Sequence, residues 1–304
     1  MKRPFSRRQF IKTSTGFVAL GLVPEDFFKK NKMKLSFSAL GCPDWSFDEI
    51  ISFASENNYD GIELRGIRRE MDLTKCKELS SAKNIADTKR LMKDKNLAFV
   101  DLGSSAEMHH SDPAERKKNL DEAKSFIDLA ARLNCPYVRV FPNKLPKENR
   151  EATIDLIVKA LIEAGDHAKG TDVMVLMETH GDLVESALVK QIMEMVHHPS
   201  VGLVWDVANM WTVTKEPPEQ VYAALKNYIH HTHIKDARLI NDTPHYVLMG
   251  KGDVPIFEAI DLLRKGGYEG YYSFEWEKLW HPEIEAPEIA LADYPKAIRL
   301  RFKE

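Results

Sequence analysis

The sequence predicts a closed (β/α)8 barrel of the TIM type in a single domain, and three observations carry that prediction. After Lys34 short β-rich runs alternate with longer amphipathic segments, the runs number eight, and about 270 residues for eight such units is the usual size of this barrel. Continuous apolar strands joined by helical crossovers imply parallel pairing with both faces covered. The open doubly wound sheet is the rival. It usually opens on a Gly-rich first turn, and "ALGCPDW" after the first run has no GxGxxG.

In chain order, the candidate strands are "KLSFSAL" (34–40), "GIELRG" (61–66), "LAFVDLG" (97–103), "YVRVF" (137–141), "VMVLMET" (173–179), "VGLVWD" (201–206), "HHTHIKD" (230–236) and "YYSFEW" (271–276). Helical periodicity falls between them at 46–57, 113–133, 150–169, 183–197, 217–226 and 255–265. Several helices carry end signals. Ser46 with Glu49 reads as a capping box, Pro113 follows the candidate cap Asp112, and Gly170 and Gly266 follow last turns containing Lys or Arg.

The balance of charge narrows the function. Lys and Arg total 43 against 46 Asp and Glu, a formal charge of −3 with the two signs interspersed, so no basic footprint for a nucleic-acid partner is present. Three cysteines, Cys42, Cys76 and Cys135, lack CxxC or Cys/His spacing, which argues against a disulfide framework and a zinc knuckle.

Residues 1–32 differ from the rest. "SRRQFIK" followed by the small, apolar "TSTGFVALGLV" has the layout of a twin-arginine signal peptide, which would place a barrel of residues 33–304 in the periplasm. No Ala-x-Ala cleavage site follows; the alternative is a basic extension on a cytoplasmic protein. The apolar run is too short for a permanent membrane anchor.

Barrel chemistry sits at the carboxyl ends of the strands. Four later strands finish on residues that can bind a metal: Glu178 in "VLMETHG", Asp206 in "LVWDVAN", His233 in "HTHIKD" and Glu275 in "YSFEWEK". An unpaired carboxylate such as Asp206 is costly to bury, and a shared divalent cation would offset the repulsion of three carboxylates. One imidazole with three carboxylates suits Mn²⁺ or Mg²⁺, with Co²⁺ or Zn²⁺ also compatible.

"METHGD", "WDVANMW", "HTHIKDAR" and "FEWEKLWHP", in this order, resemble the sugar isomerase and epimerase superfamily of xylose isomerase-like barrels. The resemblance runs from residue 34 to the end. It implies one divalent cation on Glu178, Asp206, His233 and Glu275, as in ketose 3-epimerases, hydroxypyruvate isomerases and inosose dehydratases. The related endonuclease IV carries a larger histidine set that this chain lacks. The expected partner is therefore a small carbohydrate, bound by a chain that could form homo-oligomers.

A cation chelated by adjacent carbonyl and hydroxyl oxygens acidifies the neighbouring C–H. Glu178 and Glu275, from strands well apart, could then remove and return the proton, giving epimerisation or isomerisation. Expulsion of a β-substituent from the same intermediate would make the enzyme a lyase or dehydratase; a barrel retained only for carbohydrate binding is the non-enzymatic alternative.

His180, Asn209 and Lys235 sit just beyond the expected ligands and are candidates for holding sugar hydroxyls, Asn209 being equally able to cap a turn. Glu63 and Arg139 share strand positions where charge is buried, and are expected to pair with each other inside the barrel or to touch substrate. His109 and His110 follow the third strand on a loop, where His109 is a candidate for substrate contact and both could equally be solvated. Trp45, Trp211 and Trp280 occupy loops where an indole could stack on a sugar or pack on the rim. In "MGKGDVP", Gly250 and Gly252 are expected to make a loop, less so a phosphate cradle, with Asp253 capping the next helix.

Overall fold

The structure, a computed structural model, describes residues 32–303. The expected signal peptide therefore lies, all but its last residue, outside the described residues. The elements run β1 (Lys34–Ser38), α1 (Phe47–Glu56), β2 (Gly61–Leu64), α2 (Ala82–Asp94), β3 (Ala98–Glu107), α3 (Pro113–Leu133), β4 (Tyr137–Phe141), α4 (Arg150–Ala168), β5 (Met174–Glu178), α5 (Ser186–Val196), β6 (Val201–Asp206), α6 (Val207–Thr214), α7 (Pro218–Leu225), β7 (Ile229–Ile234), β8 (Asp236–Ile240), β9 (Thr243–Val247), α8 (Ile256–Lys265), β10 (Tyr271–Phe274) and α9 (Pro287–Phe302).

Eight strands close into the expected barrel in the order β1-β10-β7-β6-β5-β4-β3-β2. Every neighbouring pair is parallel. Closure is made by β1 on β10, with Lys34 opposite Tyr271 and Phe37 opposite Phe274. A strand feeding a helix that packs back on the sheet produces this topology unit by unit, and it leaves no sheet edge to protect.

Local chemistry sets several boundaries. Ser46 accepts from the N–H of Glu49 while the Glu49 carboxylate takes the Ser46 N–H at 2.7 Å, so α1 starts with the expected capping box. Asp112 caps α3 through the N–H groups of Ala114 and Glu115, ahead of Pro113. After α8 the left-handed position falls on Gly267 (φ +81°) rather than on Gly266 (φ −81°).

Two features were not expected. An antiparallel hairpin, β8 and β9, interrupts the step from β7 to α8, with Ile240 opposite Thr243. Its two loop residues, Asn241 (φ +51°) and Asp242 (φ +61°), adopt the left-handed pair that a tight hairpin requires, which asparagine and aspartate tolerate best among non-glycine residues. At the end of the chain α9 lies against β10. The Tyr294 ring stacks on Phe274 with centroids 4.6 Å apart, and its hydroxyl donates to the Tyr272 carbonyl at 3.0 Å.

The expectation for "MGKGDVP" needs correction. Gly250 and Gly252 do form a loop, but their N–H groups both donate to Asp236 Oδ2 at 2.9 Å, so a carboxylate of the chain itself fills the turn. Asp253 does not cap α8; its Oδ2 accepts from the Leu239 N–H at 2.8 Å and ties the hairpin down. The three cysteines are free and buried. Among the described residues no helix is long and apolar enough to cross a membrane.

Candidate active site at the barrel mouth

Where the strands stop decides which side chains face the mouth. Glu178 closes β5, Asp206 closes β6, His233 is the next-to-last residue of β7, and Glu275 directly follows β10. All four are buried, and each offers one ligand atom within 4.8 Å of the others. His233 Nδ1 lies 3.6 Å from Glu178 Oε1, 3.8 Å from Asp206 Oδ2 and 3.3 Å from Glu275 Oε2, with no hydrogen-bond partner.

The other ring nitrogen explains why Nδ1 points there. His233 Nε2 lies 3.0 Å from Glu63 Oε2, which also meets His231 Nε2 at 3.1 Å and accepts from Ser273 Oγ at 3.1 Å. A carboxylate behind an imidazole fixes the ring's orientation and raises its basicity. Asp206 is held from the backbone: Oδ1 caps α6 by accepting the Asn209 N–H at 2.8 Å, and its own N–H donates to Thr179 Oγ1 at 2.9 Å.

Two cationic side chains flank the carboxylates. Lys235 Nζ donates to Glu275 Oε2 at 2.5 Å and Glu277 Oε1 at 2.6 Å, and lies 2.7 Å from Asp206 Oδ2. Arg139 Nε stands 3.1 Å from Glu178 Oε2, while Nη1 donates to the Ser104 carbonyl at 2.8 Å and the guanidinium covers the Phe141 ring at 3.8 Å.

Electrostatics follow from this crowding. Burial pushes Asp206 up to about 7, with Glu275 and Glu178 adding to the rise and Lys235 opposing it. Burial also disfavours ionised Glu275, but His233 and Lys235 overcome it and hold that carboxyl well below the usual range. Against the effect of burial, Glu275, Glu63 and Glu178 lift His233 well above the ordinary imidazole value. Three buried carboxylates around an imidazole nitrogen with no partner fit an oxygen-preferring divalent cation, which would add positive charge beside that of Lys235.

Other expected residues divide between the cluster and the rim. Asn209 Nδ2 donates to Glu178 Oε1 at 3.2 Å, and it is Asp206, not Asn209, that caps the helix. His180 Nδ1 meets Asn143 Oδ1 at 2.8 Å, and its ring lies 4.6 Å from that of Phe141. His109 and His110 lie with tilted rings 4.3 Å apart near Glu107, in a separate half-buried group. Trp45 packs on Phe53 and Trp211 lies under Lys215, both as rim packing, whereas Trp280 is 59% exposed.

The expected Glu63–Arg139 pair does not form. β3 lies between β2 and β4, so Glu63 sits beside Asp101 and Arg139 beside Gly103. Each charge then turns to partners across the barrel, Glu63 to the histidines of β7 and Arg139 to Glu178 of β5.

Half-buried Glu277 and the buried Asp101 and Arg65 escaped the sequence reading. Glu277 lies two residues beyond Glu275, and the alternation of side chains in an extended run was the available signal. Asp101 is fully buried with neither oxygen hydrogen-bonded, and burial first, then Glu63, raise it well above the usual carboxylate range. Arg65, one residue past β2, is 5% exposed and donates from Nη2 to Ser105 Oγ at 2.9 Å.

Together these features define a parallel (β/α)8 barrel with a buried carboxylate and imidazole cluster at the carboxyl ends of its strands. The chain belongs to the xylose isomerase-like TIM barrel family, whose sequence profile matches residues 51–294. It is 25% identical over 243 residues to an inosose isomerase of Halalkalibacterium halodurans, covering 77% of this chain and 82% of the relative. It is 23% identical over 232 residues to a 3-dehydroshikimate dehydratase of Bacillus anthracis, covering 71% and 78%. A crystal structure described as IOLI protein with a binding zinc atom shares the fold at 20% identity with a TM-score of 0.71, over 88% of this chain and 97% of that one.

Proposed function

We propose that this protein is a divalent-metal-dependent sugar isomerase or epimerase that abstracts a proton next to a carbonyl. The observation that carries the reading is the convergence of Glu178, Asp206, His233 and Glu275, buried, with ligand atoms within 4.8 Å of one another. These four side chains would hold the cation, Mn²⁺ or Mg²⁺ by the oxygen-rich donor set. Once bound, such a cation polarises a substrate carbonyl and stabilises negative charge on adjacent oxygens.

The chain's own groups then divide the proton work. Glu178, kept ionised by His233 and Arg139 against burial and the charge of Glu275, is suited to take a proton from the carbon beside the carbonyl. Glu275 follows β10, which β7 and β6 separate from β5 in the barrel, and in this reading it acts on the opposite face. Asn209, bonded to Glu178, restricts that carboxylate to one orientation. His180 and Lys235 supply polar contacts for substrate hydroxyls.

A second reading, β-elimination by a lyase or dehydratase, is favoured by one observation. The Lys235 ammonium, held between Glu275 and Glu277, is a buried acid positioned to protonate a departing oxygen. The similarity to a dehydratase supports this reading, and the similarity to an isomerase the first.

The test is incubation of the manganese-loaded protein with a panel of ketoses and 3-keto-glycosides in deuterated water, read by NMR. Solvent deuterium at the carbon next to the carbonyl is expected, with an epimer or isomer as product; an unsaturated sugar with a released leaving group selects the lyase. No exchange with any substrate at full metal loading would sink both. Residues 1–32 are proposed to direct export, and fractionation that finds the full-length chain only in the cytosol would overturn that.

A further inference from the structure

One strongly charged group at the mouth has no part in the reaction above. Arg65 is 5% exposed, and its single side-chain hydrogen bond among the described residues goes to a neutral hydroxyl, Ser105 Oγ at 2.9 Å. Nη1 is buried with no partner. The carboxylates that act on it through space are all engaged elsewhere: Glu275 with Lys235, Glu122 with the Ser105 N–H at 2.6 Å, and Glu178 with Arg139.

A second guanidinium adjoins it. A Cβ at Gly103 would lie 2.7 Å from Arg65 Cδ and 3.0 Å from Arg139 Nη2, so the two arginines meet over the one residue there without a side chain. Buried like charges repel, and a buried guanidinium with unmet donors is heavily penalised in the absence of an anion. Paired arginine donors are suited to planar or tetrahedral oxyanions.

We propose that Arg65 and Arg139 form an anion subsite beside the carboxylate and imidazole cluster, and that the substrate carries a carboxylate or phosphate as well as its carbonyl and hydroxyl. Assigning the anion to the substrate rests on the proposed function; the anion site itself does not. The subsite fixes the far end of the molecule, and with it which carbon lies against Glu178.

Isothermal titration of the full-length protein, both chelator-treated and manganese-loaded, with D-gluconate, D-glucitol and inorganic phosphate tests this. D-Glucitol keeps the polyol chain of D-gluconate and lacks its charge. At least one anion is expected to bind about tenfold or more tightly than D-glucitol, the scale of one charge-assisted hydrogen-bonded pair. Preference for gluconate identifies a sugar acid, and preference for phosphate a phosphoryl ester.

In Arg65→Met the preference is expected to vanish with manganese stoichiometry unchanged, and Arg65→Lys to keep part of it. Circular dichroism checks the fold; if Arg65→Met does not fold, Arg65→Lys carries the comparison. Anions that bind no better than D-glucitol, or not at all, or a preference undiminished in Arg65→Met and, should that variant not fold, in Arg65→Lys, overturn the proposal. Loss of manganese binding with an Arg65-dependent preference intact would break the cation reading alone.

Discussion

The two halves of the barrel mouth carry opposite chemistry. From β5 to β10 the strand ends deliver Glu178, Asp206, His233 and Glu275, all within reach of one point. From β2 to β4 the mouth receives Arg65 and Arg139, separated by the bare backbone of Gly103. The acidic half leaves Glu178 Oε2, Asp206 Oδ2 and His233 Nδ1 without a hydrogen bond although Lys235 stands beside it, and the basic half leaves the Arg65 Nη1 donor unmet. On the proposed reading one side would gather a cation and the other receive an anion, so that a substrate bridging them would have its orientation set before chemistry begins.

The largest effect is expected in the acidic half. Glu178→Gln and Glu275→Gln should lower exchange of the substrate's α-hydrogen by about a thousandfold, the scale of losing a general base or acid; NMR in deuterated water measures it. Undiminished exchange in both variants removes these residues from the mechanism. Chelation of the cation is expected to abolish exchange in the unsubstituted protein and manganese to restore it.

A smaller effect is expected one layer deeper. Glu63→Gln leaves His233 Nε2 without its carboxylate and should weaken manganese binding about ten- to hundredfold, as removal of supporting groups behind metal ligands does. Titration calorimetry reads this without any substrate. Unchanged affinity would mean that His233 needs no orienting group.

In the basic half, Gly103→Ala places a methyl group against two buried arginines. It is expected to destabilise the fold by about 1–3 kcal/mol, an ordinary overpacking cost, in urea unfolding. It should also weaken gluconate binding while sparing manganese, and equal loss of both would dissolve the division into two halves. The smallest change lies away from the mouth: Ser46→Ala removes the α1 cap and should cost about 1 kcal/mol with both binding activities intact.

How much of this was legible before the structure depends on whether a residue's partner is near in sequence. The eight strands, the caps at Ser46 and Asp112 and the four strand-end ligand candidates are all written in short runs whose period or end residue carries the signal. The β8–β9 hairpin was legible in principle, since Asn241-Asp242 is a turn dipeptide, but its strands are half-exposed and carry no continuous apolar run. Glu63 and Arg139 show the opposite case. Both were recognised as buried charges, yet their partners lie on β7 and β5, at positions no local pattern specifies.

The sequence by itself determined the alternation of strand and helix, and with it a closed barrel, because apolar period and capping chemistry act over a few residues. It also placed Glu178, Asp206, His233 and Glu275 at strand ends, since a charged residue terminates an apolar run. Only the tertiary structure decided that Glu63 backs His233, that Lys235 stands between Asp206, Glu275 and Glu277, and that Arg65 meets Arg139 over Gly103. Those contacts depend on strand register and barrel closure, which bring residues 170 positions apart into hydrogen-bonding range, and neither register nor closure is encoded in any single segment.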